Sequence, residues 1–190
     1  MNAKQGAILA LVVCLIVVAL AAGALLSTPS TNVVTYNVPA SAVHASLGAT
    51  ASNGKMALRL NGIGDASNPA TSSAWVTLSI ESVPSGVYNF SLTPPPASRY
   101  LVANVTVTNV HNTQIPFDYG YFVLVARDGT AYYANYAVCN TGCSAQALKN
   151  RALNETFTSD LYVLFSVPSA TQPTQIAYTG ATPPIVMSST

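Results

Sequence analysis

Proton transfer and nucleophilic attack would have to draw on few side chains here. The chain has two histidines, His44 and His111, and six carboxylates: Asp65, Glu81, Asp118, Asp128, Glu155 and Asp160. Catalysis needs such groups converged with a nucleophile in a pocket. No Gly-x-Ser-x-Gly elbow, His-Glu-x-x-His helix or phosphate-cradling glycine loop brings them together. His44 belongs to the N-terminal part, and His111 opens a polar turn, His111-Asn112-Thr113-Gln114. Two separated histidines and one Cys-x-x-x-Cys also fall short of four convergent zinc ligands. The sequence therefore predicts a protein that is not an enzyme, with no cofactor and no metal.

Three other residue sets carry chemistry. Cys139 and Cys143 flank a polar stretch with Gly142, and outside the cytoplasm such a pair forms a disulfide that pins a loop. Asn89, Asn104 and Asn154 head Asn-x-Ser/Thr sequons, which a composition rich in Asn, Ser and Thr produces by chance; Asn154, in a turn-like stretch, is the best acceptor. Tyr119, Tyr121, Tyr132, Tyr133 and Tyr136 crowd one region. Such a cluster either forms a partner surface for protein or glycan or reflects the strand propensity of tyrosine.

Charge narrows the partners. Only 7% of the 190 residues are charged and the formal net charge is +1, against about 25% charged residues in an ordinary soluble domain. Lys55, Arg59, Arg99, Arg127, Lys149 and Arg151 are scattered, so no basic stripe exists to neutralise nucleic-acid phosphates. Half of the residues are hydrophobic, which excludes disorder. Few charges also mean little desolvation cost when copies pack together, so self-association is open.

These residues sit behind a membrane segment. Residues 6–26, GAILALVVCLIVVALAAGALL, carry no charge and as a helix would span about 30 Å, the thickness of a bilayer core. Lys4 precedes the segment and the next basic residue is Lys55, which places the C-terminal domain outside. A cleaved signal peptide is the competing reading, with small-x-small sites at Ala19-Leu20-Ala21 and Ala22-Gly23-Ala24. Cys14 follows Val and lies mid-segment, so it reads as a helix residue rather than a lipid site. The expected organisation is a membrane helix or signal-anchor over 1–26, a linker with an edge or donor strand over 27–54, and a β-domain over 55–190.

Period-2 patterning fills that domain. Lys55–Asn61, Trp75–Glu81, Tyr100–Val110 and Asp160–Val167 each alternate an apolar and a polar face, as half-buried antiparallel strands do. Val33–Val38, Gly86–Leu92, Thr130–Ala137 and Thr174–Tyr178 are shorter candidates, and Arg127-Asp128-Gly129-Thr130 signals a hairpin. Tyr119–Ala126 is apolar on both faces, so its second face must be covered by Val33–Val38, by a loop or by another protomer. Seven to nine short strands without an amphipathic helix predict two packed sheets.

YLVANVTVTN (100–109), YFVLVARDGTAY (121–132), LYVLFSVPSA (161–170) and QIAY (175–178) occur in that order. This text resembles a family of immunoglobulin-like domains of secreted proteins and lipoproteins, relatives of the mycobacterial immunoprotective antigen. The resemblance implies an all-β, immunoglobulin-like antiparallel sandwich without catalytic residues, here preceded by one N-terminal transmembrane helix. A weaker resemblance, in architecture and composition, is to archaeal surface-filament subunits. The two functions expected are a tethered cell-surface structural or binding domain, and a subunit of an extracellular pilus- or thread-like filament assembled through the N-terminal segment.

Overall fold

The computed structural model describes residues 34–66, 94–139 and 151–190. Residues 6–26 and the strands expected at Trp75–Glu81 and Gly86–Leu92 lie outside these. Among the described residues no helix is long and apolar enough to cross a membrane.

The two longest strands organise the rest. β5 (Ser98–Asn109) and β11 (Thr158–Pro168) pair antiparallel along the whole of β11. Alternation puts Leu101, Ala103, Val105 and Val107 on one face of β5, opposite Phe165, Val163, Leu161 and Ser159 of β11. β4 (Met56–Asp65) joins the other edge of β5 and adds Met56, Leu58 and Leu60 to that face. With β3 (Thr50–Ser52) and β9 (Tyr136–Cys139) the order of this five-stranded sheet is β3-β4-β5-β11-β9. A six-stranded sheet contains β1 (Val34–Thr35), β2 (Val43–Ala45), β7 (Phe122–Ala126), β8 (Thr130–Tyr133), β12 (Pro173–Tyr178) and β13 (Ile185–Ser188). Its order is β1-β8-β7-β12-β13-β2, and only β13 and β2 run parallel. Phe122, Leu124, Ile176, Tyr178, Ile185 and Met187 from this sheet meet the apolar face of the other in one core. β6 (Ile115–Phe117) and β10 (Arg151–Leu153) pair separately.

In immunoglobulin lettering, β4, β5, β11 and β9 take the places A, B, E and D. Likewise β13, β12, β7 and β8 take G, F, C and C′. The fold is an immunoglobulin-like antiparallel β-sandwich.

Several expected boundaries move. Tyr119–Tyr121 is a 3-10 turn capped by Asp118, and the strand begins at Phe122. The segment expected as one strand over Thr130–Ala137 is two, in different sheets. Ala134 N still donates to Phe122 O of the six-stranded sheet, whereas Asn135 N donates to Leu164 O of the five-stranded one. The Asp-Gly hairpin forms as expected: Gly129, at φ +81, closes on Ala126 O, and Asp128 accepts from Thr130 N. The outer face of β5 and β11 is polar only along part of its length. There Thr106 Oγ1 donates to Asp160 Oδ1 at 2.6 Å and accepts from Asn61 Nδ2 at 2.9 Å, while Val102 and Leu164 farther along are fully buried.

The stretch expected as a linker with an edge or donor strand over 27–54 is, from Val34 onward, part of the sandwich, with β1 as an edge strand on its own sheet. β1 and β2 occupy opposite edges of the six-stranded sheet, five inter-strand spacings or about 24 Å apart. Residues 36–42 link them as a strap over the outer face, with a turn in which Ala42 N donates to Pro39 O. Tyr36, Val38 and Ala42 pack on Val123, Val125, Ala131, Ala177 and Val186. This is the cover that the doubly apolar strand required, and it comes from the N-terminal segment itself.

Leu101→Ala or Phe165→Ala is expected to cost about 2–5 kcal/mol, the range for emptying a packed core site. Thr106→Ala should cost about 1 kcal/mol, the worth of its hydrogen bonds. Chemical denaturation of the three variants measures this, and equal costs would refute the inward and outward assignment.

Candidate functional site

At one end of the sandwich three connections converge: the one from β5 to β7, the one leading into β11, and the one from β12 to β13. Between them lies an open groove of about 810 Å³, within the range of small-ligand sites. Its floor is aromatic. Tyr178 stacks on Phe117 at 5.4 Å between centroids and tilts against Phe122 at 4.9 Å. Tyr121 meets Tyr178 edge-on at 6.3 Å and remains 51% exposed. Gly180 makes room for it: a Cβ there would lie 2.5 Å from Tyr121 Cδ2 and 2.9 Å from the Tyr178 hydroxyl. One side of the Tyr121 ring thus lies against the Gly180 backbone.

Polar groups rim this floor. Asp118 Oδ1 accepts from Gly120 N at 2.7 Å, and Asp118 N donates to the Tyr178 hydroxyl at 3.3 Å. Gln114 Nε2 donates to Asn154 Oδ1 at 3.1 Å. Arg151, paired in register with Phe117, is exposed and makes no ion pair with a described residue. Asn109 holds the wall together. It is buried, its Nδ2 donates to the carbonyls of Thr113, Leu153 and Asn154, and its Oδ1 accepts from His111 N. One side chain therefore joins the end of β5 to the turn before β6 and to the end of β10.

Burial, above all, pushes the Tyr178 hydroxyl up to about 12, against a lowering from the Asp118 backbone hydrogen bond. Tyr178 is therefore a neutral floor residue at ordinary pH. Arg151 and Asp118 carry opposite charges at the rim, so the groove as a whole is close to neutral.

The expected tyrosine surface does not form as one patch. Tyr119 and Tyr136 are buried, 7% and 3% exposed, and pack edge to face at 6.1 Å. Tyr132 packs against the main core. Tyr121 and Tyr133 are exposed, and only Tyr121 borders the groove. The 3-10 turn separates Tyr119 from Tyr121, and alternation along β8 separates Tyr132 from Tyr133. Asn104 sits in the middle of β5 and accepts from Asn61 Nδ2, whereas Asn154 is exposed next to β10; Asn89 lies outside the described residues. Cys139 is disulfide-bonded at the end of β9, and its partner, like Cys143, lies outside the described residues. His44 lies in β2, and His111 Nδ1 is 2.7 Å from Thr113 Oγ1 within its own turn. Among the described residues no group of three or more His, Cys, Asp or Glu could hold a metal ion.

Sequence reasoning missed Gln114, Arg151, Tyr178 and Gly180 as site residues, and took Asp118 only as one carboxylate among six. Their positions in the chain show no shared spacing that could have joined them.

No family model and no curated protein matches the sequence. Among solved structures the chain is similar to a β-sandwich protein of Clostridium difficile, at 11% identity and a TM-score of 0.48, covering 82% of this chain and 99% of that one. It is similar to a secreted protein of Mycobacterium tuberculosis at 13% identity and a TM-score of 0.49, with 79% and 99% covered. A candidate lipoprotein of Bacillus subtilis gives 14% identity, a TM-score of 0.39, and 68% and 32% covered.

Two measurements test this region. The raised Tyr178 value means that the folded state keeps a proton that the unfolded chain releases near pH 10. Stability from this group is full below about pH 10 and is lost as pH rises through 12, by about 3 kcal/mol. Tyr178→Phe should flatten that alkaline loss by about one proton in denaturation curves taken from pH 9 to 12; an unchanged slope would remove the buried hydroxyl from the account. Mass spectrometry without reductant should find Cys139 joined to Cys143, about two daltons lighter than the reduced peptide, and a link to Cys14 instead would refute that pairing.

Proposed function

We propose that this protein is a non-catalytic cell-surface binding domain, tethered to a membrane by residues 6–26 with its sandwich outside the cell. The observation that carries the reading is the groove at the loop end of the sandwich. Loops held by a rigid sandwich are where such domains place their binding residues. The disulfide at Cys139 supports an oxidising, extracytoplasmic setting, and Lys4 before the apolar segment supports the orientation. The partner is a protein or a glycan of the cell surface.

The alternative reading, a filament subunit, would have the N-terminal segment of one copy complete the next. The strap weighs against it, because Tyr36, Val38 and Ala42 fill the apolar stripe of their own sheet. A single chain also avoids the entropy cost of association.

Protease applied to intact cells is expected to digest the domain, and digestion only after lysis would refute the topology. Full-length protein in detergent should scatter light as a monomer, and fibres seen by electron microscopy would instead establish the filament.

A further inference from the structure

The groove can be read further, on the assumption that the domain is a surface-binding one. We infer that it is a saccharide site that takes a neutral oligosaccharide by stacking one sugar ring on Tyr121. A sugar presents one face of C–H groups and a rim of hydroxyls. The C–H groups carry partial positive charge and suit the negative face of an aromatic ring. The hydroxyls, each both donor and acceptor, suit planar side chains that offer two atoms at once. The groove supplies both parts: a half-exposed tyrosine set against Gly180 and Tyr178, and a rim of Asp118, Gln114 and Arg151.

Its charge narrows the ligand. One carboxylate and one guanidinium border the same space, so an anionic ligand drawn by Arg151 would meet Asp118, and a cation would meet the reverse. A neutral molecule with dispersed hydroxyls uses both. An extended peptide would bind best by adding a strand to an open edge. At the wall of this groove β6 carries Pro116, which has no N–H to offer such a strand. An apolar ligand would make no use of the Arg151 guanidinium at the rim.

The volume sets the scale. About 810 Å³ lies toward the upper end of small-molecule sites, room for more than one sugar ring. The groove is open, so the reducing and non-reducing ends of a longer chain can run past it into solvent.

The test uses the full-length protein in detergent, titrated with maltotriose, cellotriose, mannotriose and N,N′,N″-triacetylchitotriose and followed by calorimetry. At least one of the four is expected to bind saturably, in the micromolar to millimolar range. Tyr121→Ala should weaken that binding at least about tenfold, or about 1.4 kcal/mol, and Arg151→Ala should weaken it measurably. Tyr133→Ala removes an equally exposed tyrosine away from the groove and should leave the affinity unchanged; the same variant controls for folding. Absence of binding by all four sugars, binding indifferent to Tyr121→Ala, or Tyr121-dependent binding of a peptide instead of a sugar would overturn the inference. None of those outcomes touches the topology, which surface proteolysis decides separately.

Discussion

The β5–β11 ladder is the constraint on which the rest depends. A one-residue slip between these strands would turn every inward side chain outward, so the packing of Leu101, Val105, Val163 and Phe165 holds the register. Once that register is set, β4 and β9 can pair on either side only where the chain delivers them. The opposite sheet then closes on the same apolar face, and the core becomes continuous between Leu58 and Leu60 on one side and Leu124 and Ile176 on the other.

The six-stranded sheet has a second requirement. Its outer face also bears apolar side chains, and a single sandwich has only one dry interior. The strap meets this need by packing Tyr36, Val38 and Ala42 on that face. It links two roles of the N-terminal segment: it contributes a strand to each edge of the sheet, and it shields the stripe between them. Were the strap displaced, five buried residues, Val123, Val125, Ala131, Ala177 and Val186, would lose their cover. An exposed apolar stripe of this kind invites association. The same segment that leads into the domain therefore also covers its outer apolar stripe.

Low charge runs through both the sheet surface and the groove. On the outer face of the five-stranded sheet, hydroxyls and amides join most of the cross-strand contacts. Asn61 donates to Asn104 and Thr106, Thr106 to Asp160, and Thr158 to Thr108. Arg99 and Asp65 form an ion pair at the sheet end, at 2.8 Å, and Arg99 also donates to Thr171 O. In the groove, likewise, one charge of each sign is offset by amide, hydroxyl and aromatic surface. A surface so composed interacts by hydrogen bonds and stacking more than by long-range attraction, and such contacts are less sensitive to salt.

The alternation in Met56–Leu60, Leu101–Val107 and Leu161–Val167 was enough, read alone, to define the strands, their inward faces and an all-β class. That was possible because the side-chain period of a strand is a local property. The Asp128-Gly129 turn was legible for the same reason: Gly129 tolerates the positive φ that closes the hairpin. Tertiary structure decided what depends on partners distant in the chain. It split Thr130–Ala137 between two sheets, buried Tyr119 and Tyr136 while exposing Tyr121, and laid residues 36–42 across the outer face. It also built the groove, since Gln114 and Asp118, Arg151, and Tyr178 and Gly180 reach one place only when three separate connections meet at the end of the sandwich. No local pattern records such a meeting, because it is the packing of two sheets that brings those connections together.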